Sequence, residues 1–249
     1  MDNQFSRTEM LLGKAALQTL KESRVAVFGV GGVGGYATEV LARSGVGRLD
    51  LFDSDEVALS NLNRQIYALH STVGQYKVDV AKARILDINP ACEVRANRMF
   101  YLPENADEVD LSGYDYVVDC IDTVSAKLEL IRRCHQAGVP IICSMGAANK
   151  LDPTGFRVAD LSKTKMDPLA KVIRAKLRKE GIRHVKVVYS EEPPLKPLEE
   201  TAGGQPQDAP DAPRRSVPAS NAFVPAAAGL VVGGEVVKDL LRRAGTMRS

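Results

Sequence analysis

The sequence is poor in cysteine, and its cysteines are unpaired along the chain. Only four of the 249 residues are cysteine, and none of them form a C-x-x-C pattern. A zinc clip built on paired cysteines and a thioredoxin-type dithiol are therefore excluded. Cys120 and Cys143 lie in apolar, strand-like runs, and we expect both to be buried free thiols.

Charge of one sign and long apolar runs are also scarce. The 33 basic and 31 acidic residues leave a net charge of +2, which by itself does not indicate a nucleic-acid partner. No signal peptide opens the chain, so we expect a reducing cytoplasmic compartment. Residues 216–234 carry no charge, but their proline, asparagine and alanine content favours a core helix over a membrane span.

Strand and helix signals alternate along most of the chain. The sequence predicts an α/β fold: a Rossmann-like, mostly parallel sheet flanked by helices, in one domain over residues 1–249. We divide it into an N-terminal helical segment 1–23, a nucleotide-binding core 24–189, a long flexible loop 190–216 rich in proline, glycine and acids, and a C-terminal helical segment 217–249.

Hydrophobic periodicity and breakers place the individual elements. Strands are predicted over 25–28, 48–52, 93–99, 114–120, 141–144 and 185–189. Helices are predicted over 8–22, 33–44, 75–88 and 125–137, from Pro168, and near the C-terminus. A further short helix is expected to run to Leu69, capped by Ser60 or Asn61.

A glycine-rich turn follows the first strand. Its glycines are Gly29, Gly31, Gly32 and Gly34, and the strand after the next helix ends on Asp53. This order of strand, glycine turn, helix, strand and acid is the dinucleotide-type fingerprint. The glycines let backbone amides approach a phosphate at the positive helix N-terminus, and Asp53 is placed to accept hydrogen bonds from a ribose. We predict that an adenine nucleotide binds here.

Downstream of the glycine turn, two cations and a carboxylate are candidates for binding phosphate groups. Arg64 lies in a donor-rich stretch, and Lys77 lies in the first turn of a helix, where the dipole disfavours a cation unless an anion is near. A plain surface lysine is the alternative. Asp122 follows a central strand and is a candidate Mg²⁺ ligand or the N-cap of the next helix, and both roles are compatible in different complexes.

The fingerprint alone would favour a nicotinamide or flavin oxidoreductase. A dinucleotide's two phosphates are handled largely by the glycine turn, whereas Arg64, Lys77 and Arg7 would supply additional positive charge. The histidines are scattered along the chain, with no evident pair for hydride transfer. The residues therefore favour triphosphate chemistry.

The segment 163–186 is strongly basic. Its cations are opposed only by Asp167 and Glu180. A solvated helix face explains most such runs, but a long imbalance of one sign also suits contact with a polyanion. Both interpretations stay open from the residues alone.

Several motifs together resemble one superfamily. GVGGVGG, LFDSDEV, SNLNRQ, a lysine opening the next helix, and DCIDT are similar to the ubiquitin-activating-enzyme superfamily of adenylate-forming proteins, which includes the ThiF and MoeB types. The later segments GAANKLDPTGFRVADLSKTKMDPLAKVIRAKLR and VVYSEEPP resemble its tRNA threonylcarbamoyladenosine dehydratase branch. The resemblance implies a homodimer that uses ATP and Mg²⁺ to activate the carboxylate of that nucleoside, which then cyclises with release of AMP and pyrophosphate.

The resemblance also implies roles for individual residues. Asp53 becomes the ribose ligand, Asp122 the Mg²⁺-linked acid, and Arg7 an arginine inserted into the partner subunit's active site. The phosphate ligands are Asn63, Arg64 and Lys77. The implied catalytic set is Arg64, Lys77, Asp122 and Arg7, and the implied nucleotide-binding set is Gly29, Gly31, Gly32, Gly34, Asp53, Asp55, Asn61, Asn63, Arg64, Gln65, Lys77 and Asp122.

Departures from other members sharpen the prediction. Enzymes that activate sulfur-carrier proteins often carry a C-x-x-C zinc pair and a cysteine in the loop after the late strand, and this chain has neither. The basic stretch suits a tRNA substrate instead. An adenylating enzyme for a ubiquitin-like sulfur carrier is the runner-up, and a non-catalytic nucleotide-dependent module is the alternative from another class. A sulfur-transfer partner protein and an alkali cation remain open.

Overall fold

The computed structural model describes residues 3–198 and 218–248. In this part of the chain seven strands form one sheet, and six of them have bounds close to those predicted. They are β1 (Arg24–Phe28), β2 (Arg48–Phe52), β3 (Glu93–Asn97), β4 (Tyr116–Asp119), β5 (Ile141–Ser144), β6 (Phe156–Asp160) and β7 (Lys186–Ser190). The predicted α/β fold with a mostly parallel sheet is confirmed.

The strand order is β3-β2-β1-β4-β5-β7-β6. Every neighbouring pair is parallel except β6 and β7, which run antiparallel with Val158 opposite Val188. The order reverses between β1 and β4, and ligands of open α/β sheets bind at such a switch point, beyond the carboxyl ends of the strands. The glycine turn follows β1 at this edge.

Helices cover both faces of the sheet. They are α1 (Ser6–Leu12), α2 (Lys14–Glu22), α3 (Gly34–Ser44), α4 (Lys77–Ile88), α5 (Val124–Ala137), α6 (Pro168–Lys179) and α7 (Val224–Arg243). Along β1, Val25 and Val27 belong to the apolar core shared with α2, α3, α4 and α7, whereas Ala26 and Phe28 belong to the core under α5. The alternation of side chains along a strand places these residues on opposite faces.

Helices α3 and α7 pack unusually closely. A Cβ added at Gly229 of α7 would lie 2.3 Å from the carbonyl oxygen of Val33, and one at Gly233 would lie 2.7 Å from the Cβ of Val40. Glycine is required at both positions because any side chain would force the helices apart. The start of α7 is thereby held next to the glycine turn before α3.

Two helix predictions are wrong in detail. The single helix over 8–22 is split at Gly13, whose φ of 90° is accessible mainly to glycine and ends α1. The expected helix to Leu69 is instead a short 3-10 turn, Leu59–Asn61, followed by turns. The side-chain oxygen of Asn61 there accepts from the Ala58 amide at 3.1 Å and so closes a local turn instead of opening a helix.

Strand β6 was not predicted. It lies at the sheet edge, where most of its residues are exposed or half-buried, so the sequence lacks the apolar run of a central strand. The division at 23, 189 and 216 stays a prediction, and residues 199–216 of the expected loop lie outside the described residues. Among the helices that the structure describes, none is both long and apolar enough to cross a membrane.

Candidate functional site

The glycine turn brings backbone very close to the neighbouring strand end. Gly29 has a φ of 84°, and a Cβ there would lie 2.7 Å from the Cys120 carbonyl oxygen. A Cβ at Gly34 would lie 1.8 Å from the Gly29 carbonyl oxygen, so this glycine serves the packing of the turn. No side chain caps the N-terminus of α3. The Gly35 amide already donates to the Gly31 carbonyl at 2.9 Å, so an anion at this helix end would use the neighbouring amides.

Asp53 braces this turn from the end of β2. One carboxylate oxygen accepts from the Val30 amide at 2.7 Å and the other accepts from the Asp55 amide at 2.9 Å. Burial raises the pKa of the Asp53 carboxyl, and the Lys77 ammonium and the two amides partly oppose that rise. Each oxygen keeps a lone pair that a ribose hydroxyl can use.

A cavity of about 450 Å³ opens at the switch point, and most of the predicted residues line it. The predicted residues in its wall are Gly29, Gly31, Gly32, Asp53, Asp55, Asn61, Arg64, Gln65, Lys77 and Asp122. The structure thus gathers residues from five separate stretches of sequence around one space large enough for a nucleotide.

Lys77 reaches the cavity from the first turn of α4. Its side chain is only 7% exposed, and its ammonium donates to the Asp55 carboxylate at 2.6 Å. Asp55 is the anion that makes a cation acceptable at this helix N-terminus. An ammonium has three donors, so Lys77 retains capacity for a phosphate.

Arg64 is anchored through one of its two terminal nitrogens. Nη1 donates to the Ser60 carbonyl at 2.9 Å and to the Asn63 side-chain oxygen at 2.8 Å. Nη2 and Nε make no hydrogen bond with the residues that the structure describes, and they remain free for a ligand. The guanidinium is therefore held in place while two of its nitrogens remain available as hydrogen-bond donors.

Asp122 is exposed at the cavity rim. The residue that caps α5 is Thr123, which makes no side-chain cap bond, so the N-cap alternative for Asp122 is wrong. Its carboxylate oxygen has only a long contact, 3.4 Å, from the Thr123 hydroxyl. The rim thus offers a carboxylate oxygen that is nearly free for another ligand.

Three predicted residues do not line the cavity. Gly34 packs under the turn, as described above. Asn63 is exposed beside the cavity and donates through Nδ2 to the Ser220 carbonyl at 3.1 Å. Arg7 is exposed on α1 and is not part of the wall.

Sequence reasoning missed the apolar side of the cavity. Phe28 and Phe52 stack with ring centroids 4.3 Å apart, and Tyr101 meets Phe28 edge-on at 4.9 Å. All three contribute to the wall, with Phe28 fully buried and the other two almost so, and they make this side of the cavity apolar. The strand periodicity signalled core positions at Phe28 and Phe52, but no motif signalled Tyr101.

Sequence reasoning also missed the part of the wall formed by the segment after β5 and the start of α7. It consists of small or rigid residues: Ala147, Ala148, Pro218, Ser220 and Pro225. Ala147 and Ala148 follow β5, whereas the other three lie before or in the first turn of α7. These two stretches are distant in sequence, so only the fold reveals that they share one wall.

A second lysine–aspartate pair lies beneath the same sheet edge. The ammonium of Lys127 on α5 donates to the Asp119 carboxylate at 2.6 Å and to the Ser144 carbonyl at 3.0 Å, and both charged side chains are fully buried. Burial opposes the charge on Lys127, but Asp119 outweighs it and raises the pKa of the ammonium. The pair ties the ends of β4 and β5 together.

A family model for the ThiF family matches residues 5–245 of the chain. This chain belongs to the ThiF family. It is 54% identical over 244 residues to the tRNA threonylcarbamoyladenosine dehydratase of Bacillus subtilis, and the match covers 97% of this chain and 96% of that protein. The resemblance to this branch, inferred from the motifs, is confirmed.

Solved structures of a second member share the fold. TcdA, the tRNA N6-threonylcarbamoyladenosine dehydratase of Escherichia coli, in complex with ATP matches with a TM-score of 0.85 and 34% identity, covering 97% of this chain and 95% of that one. Its complex with AMP matches with a TM-score of 0.84 at the same identity and coverage. ThiF-family membership and fold therefore agree over nearly the whole chain.

Proposed function

We propose that this protein is an ATP-dependent tRNA threonylcarbamoyladenosine dehydratase. It adenylates the carboxylate of the threonylcarbamoyl group and promotes its cyclisation, with release of pyrophosphate and AMP. The observation that carries the proposal is the meeting of Arg64 and Lys77 with the glycine turn in one cavity, in a chain 54% identical to an enzyme of that name.

We assign a task to each wall of the cavity. The aromatic side at Phe28 and Phe52 takes the adenine, Asp53 takes the ribose, and the start of α3 faces the phosphates. The substrate carboxylate attacks the α-phosphate, and pyrophosphate leaves. Arg64 and Lys77 neutralise the charge that develops on the phosphoryl oxygens.

Cyclisation needs no enzyme nucleophile. Once the carboxylate is activated, a nucleophile within the substrate attacks its carbonyl carbon and AMP departs. Cys120 lines the cavity, but burial raises the pKa of its thiol to about 12, so the reactive thiolate is scarce at neutral pH. This chemistry supports ring closure over a covalent thioester.

Asp122 would hold Mg²⁺ at the rim. Within the described residues no cluster of three metal-ligating side chains occurs, which fits a cation that is bound mainly by nucleotide phosphates and one carboxylate. When bound, Mg²⁺ supplies positive charge to the triphosphate. The exposed, weakly engaged carboxylate of Asp122 meets that requirement.

The tRNA is expected to contact the basic segment 163–186. Two of its cations are already engaged, since Arg174 donates to Thr164 and Lys186 pairs with Asp239 at 2.7 Å. The exposed ones form a surface around α6: Lys163, Lys165, Lys171, Lys176, Arg178, Lys179 and Arg183. A one-signed surface of this kind suits the phosphate backbone of RNA.

The proposal also covers assembly and location. We infer a cytoplasmic homodimer in which Arg7, exposed on α1, enters the cavity of the partner subunit. A sulfur-transfer protein is a further candidate partner. Cross-linking of a cysteine introduced at Arg7 to the cavity of a second copy would test the arrangement.

Product analysis tests the function directly. Incubation with ATP and tRNA bearing the threonylcarbamoyl group is expected to remove the mass of one water from the modified nucleoside and to form one AMP per product. Without ATP the nucleoside should keep its mass. An unchanged nucleoside, together with pyrophosphate exchange driven by a small carrier protein, would favour the runner-up, an adenylating enzyme for a ubiquitin-like sulfur carrier.

A further inference from the structure

Asn149 lies beside the cavity in a conformation that is uncommon for a residue with a side chain. Its φ is 60°, in the left-handed region, which asparagine tolerates better than most residues. It directly follows Ala147 and Ala148 of the cavity wall. Neither the fingerprint nor the roles inferred above account for it.

Asn149 holds the segment 218–221 in place through its neighbour Ala219. The backbone amide of Asn149 donates to the Ala219 carbonyl at 2.8 Å, and the Ala219 amide donates to the Asn149 side-chain oxygen at 2.7 Å. The Asn149 carbonyl in turn accepts from the Leu195 amide at 2.8 Å. One residue thus joins three separate stretches of chain.

A chain of hydrogen bonds continues from this clamp to Arg64. The carbonyl of Ser220 accepts from Nδ2 of Asn63 at 3.1 Å, and the side-chain oxygen of Asn63 accepts from Nη1 of Arg64 at 2.8 Å. The Asn63 side chain thus bridges Ser220 and Arg64. Ser220 directly follows Ala219, which Asn149 holds, and on its other side Asn221 donates to the Lys150 carbonyl at 2.8 Å.

We propose that Asn149 is a positioning residue for Arg64, acting through Ala219, Ser220 and Asn63. The inference rests on the proposed function, because it assigns Arg64 to the phosphate of the adenylation step. The side chain of Asn149 touches neither phosphate nor substrate. Loss of this side chain is expected to lower the rate of adenylation and to leave folding and nucleotide affinity unchanged.

Two substitutions separate the side chain from the backbone. Asn149→Gly keeps the left-handed conformation and removes only the side-chain acceptor, whereas Asn149→Asp keeps both. Asp110→Gly is the matched control, since Asp110 also accepts from a backbone amide, that of Ser112 at 2.9 Å, is exposed, and lies outside both the cavity wall and the basic segment. All three variants are assayed for AMP formation with modified tRNA over a range of ATP concentrations up to saturation, beside wild type.

The expected result is a fall in kcat of about five- to tenfold for Asn149→Gly, the effect of losing one hydrogen bond. The KM for ATP should stay within about twofold, and Asn149→Asp should recover most of the rate. Asp110→Gly should match wild type. In an Asn63→Ala background, Asn149→Gly should cause no further loss, because the connection is already broken.

Two outcomes would overturn the inference. One is wild-type kcat in Asn149→Gly, and the other is a full multiplication of the two losses in the double variant. An inactive wild-type enzyme would instead reject the proposed function, so the two failures are told apart by the first assay. A raised KM for ATP with unchanged kcat would assign Asn149 to nucleotide binding and would also contradict the inference.

Discussion

Two lysine–aspartate pairs lie at the same edge of the sheet, each with an oxygen–nitrogen distance of 2.6 Å. Lys127 and Asp119 are fully buried, and the ammonium also donates to the Ser144 carbonyl. Lys77 is buried to its tip, but its partner Asp55 is 62% exposed at the cavity. The same pair of residue types therefore has two roles. Lys127, whose donors are engaged, stabilises the fold, whereas Lys77, which keeps spare donors at a cavity, binds ligands.

The largest expected effect concerns the pair at the cavity, Lys77 and Asp55. Lys77→Ala should lower AMP formation by about 10²–10³-fold, as does loss of a group that stabilises developing charge. Arg64→Ala should do the same, with little change in melting temperature for either variant. Lys82→Ala, on the same helix, is the control for loss of a lysine from α4. Near-native turnover in Lys77→Ala would erase the contrast between the two pairs.

The buried pair should respond in stability instead. Lys127→Met leaves the Asp119 carboxylate buried without its partner, and breaking such a pair costs about 3–5 kcal/mol. Calorimetry should show a melting temperature lower by roughly 10 °C for a chain of this size. Adding Asp119→Asn should restore part of the loss. Strong inactivation of Lys127→Met with unchanged melting would show that Lys127 serves catalysis after all.

Substitution of Asp122 tests how much the carboxylate at the cavity rim contributes to adenylation. Asp122→Asn should keep the fold and lower turnover by about tenfold or more, with a higher Mg²⁺ concentration needed for half-maximal rate. Asp110→Asn, at a surface turn away from the cavity, is the control. A Mg²⁺ dependence identical to that of wild type would remove Asp122 from the metal's ligands.

A third cluster of charged side chains lies on α7, and its loss is expected to have an effect of intermediate size. Burial of Glu235 opposes its ionisation, but Lys238, Arg242 and Lys186 outweigh it and lower the pKa of the carboxyl to about 2. Its contribution to stability is present above the unfolded value near 4.5 and is lost as pH falls toward about 2. Glu235→Gln should flatten the pH dependence of the melting temperature in that window. An unchanged slope would assign the acid sensitivity to other carboxyls.

The smallest effect is expected at the cysteines. Replacing Cys92, Cys120, Cys134 and Cys143 by alanine should leave turnover within about fivefold of wild type, with a modest loss of stability from small cavities. Burial raises the pKa of Cys134 as well as that of Cys120 to about 12. A folded, ATP-binding variant without turnover would show that a thiol takes part.

The sequence predicted the parts of the site that are encoded locally. The glycine turn, the acid at the end of β2 and the cations before and at the start of α4 follow fixed spacings, and ten of all the predicted site residues line one cavity. The wall at Ala147 and Pro218 depends on contacts between distant stretches, for which the chain carries no motif. Strand β6 was not predicted, because an edge strand lacks the apolar run on which strand prediction relies.

Asn149 and Asp55 illustrate the same limit at single residues. Asn149 acquires its role from Ala219, 70 residues further along the chain. The partner of Lys77 was expected to be a nearby anion, and the fold supplies it as Asp55, 22 residues earlier. For Lys77 the sequence indicated that an anion must be near, whereas nothing in it signalled Asn149, and only the tertiary structure identified both partners.

The close packing of α3 and α7 has one more consequence. Both helices begin at the cavity, with Gly32 before one and Pro225 in the other, so the positive ends of two backbone dipoles converge on the same space. Each end carries about half an elementary charge, and no titration or side-chain exchange removes it. An anion should therefore still dock in a variant stripped of both Arg64 and Lys77, which leaves recognition of the nucleotide separable from its turnover.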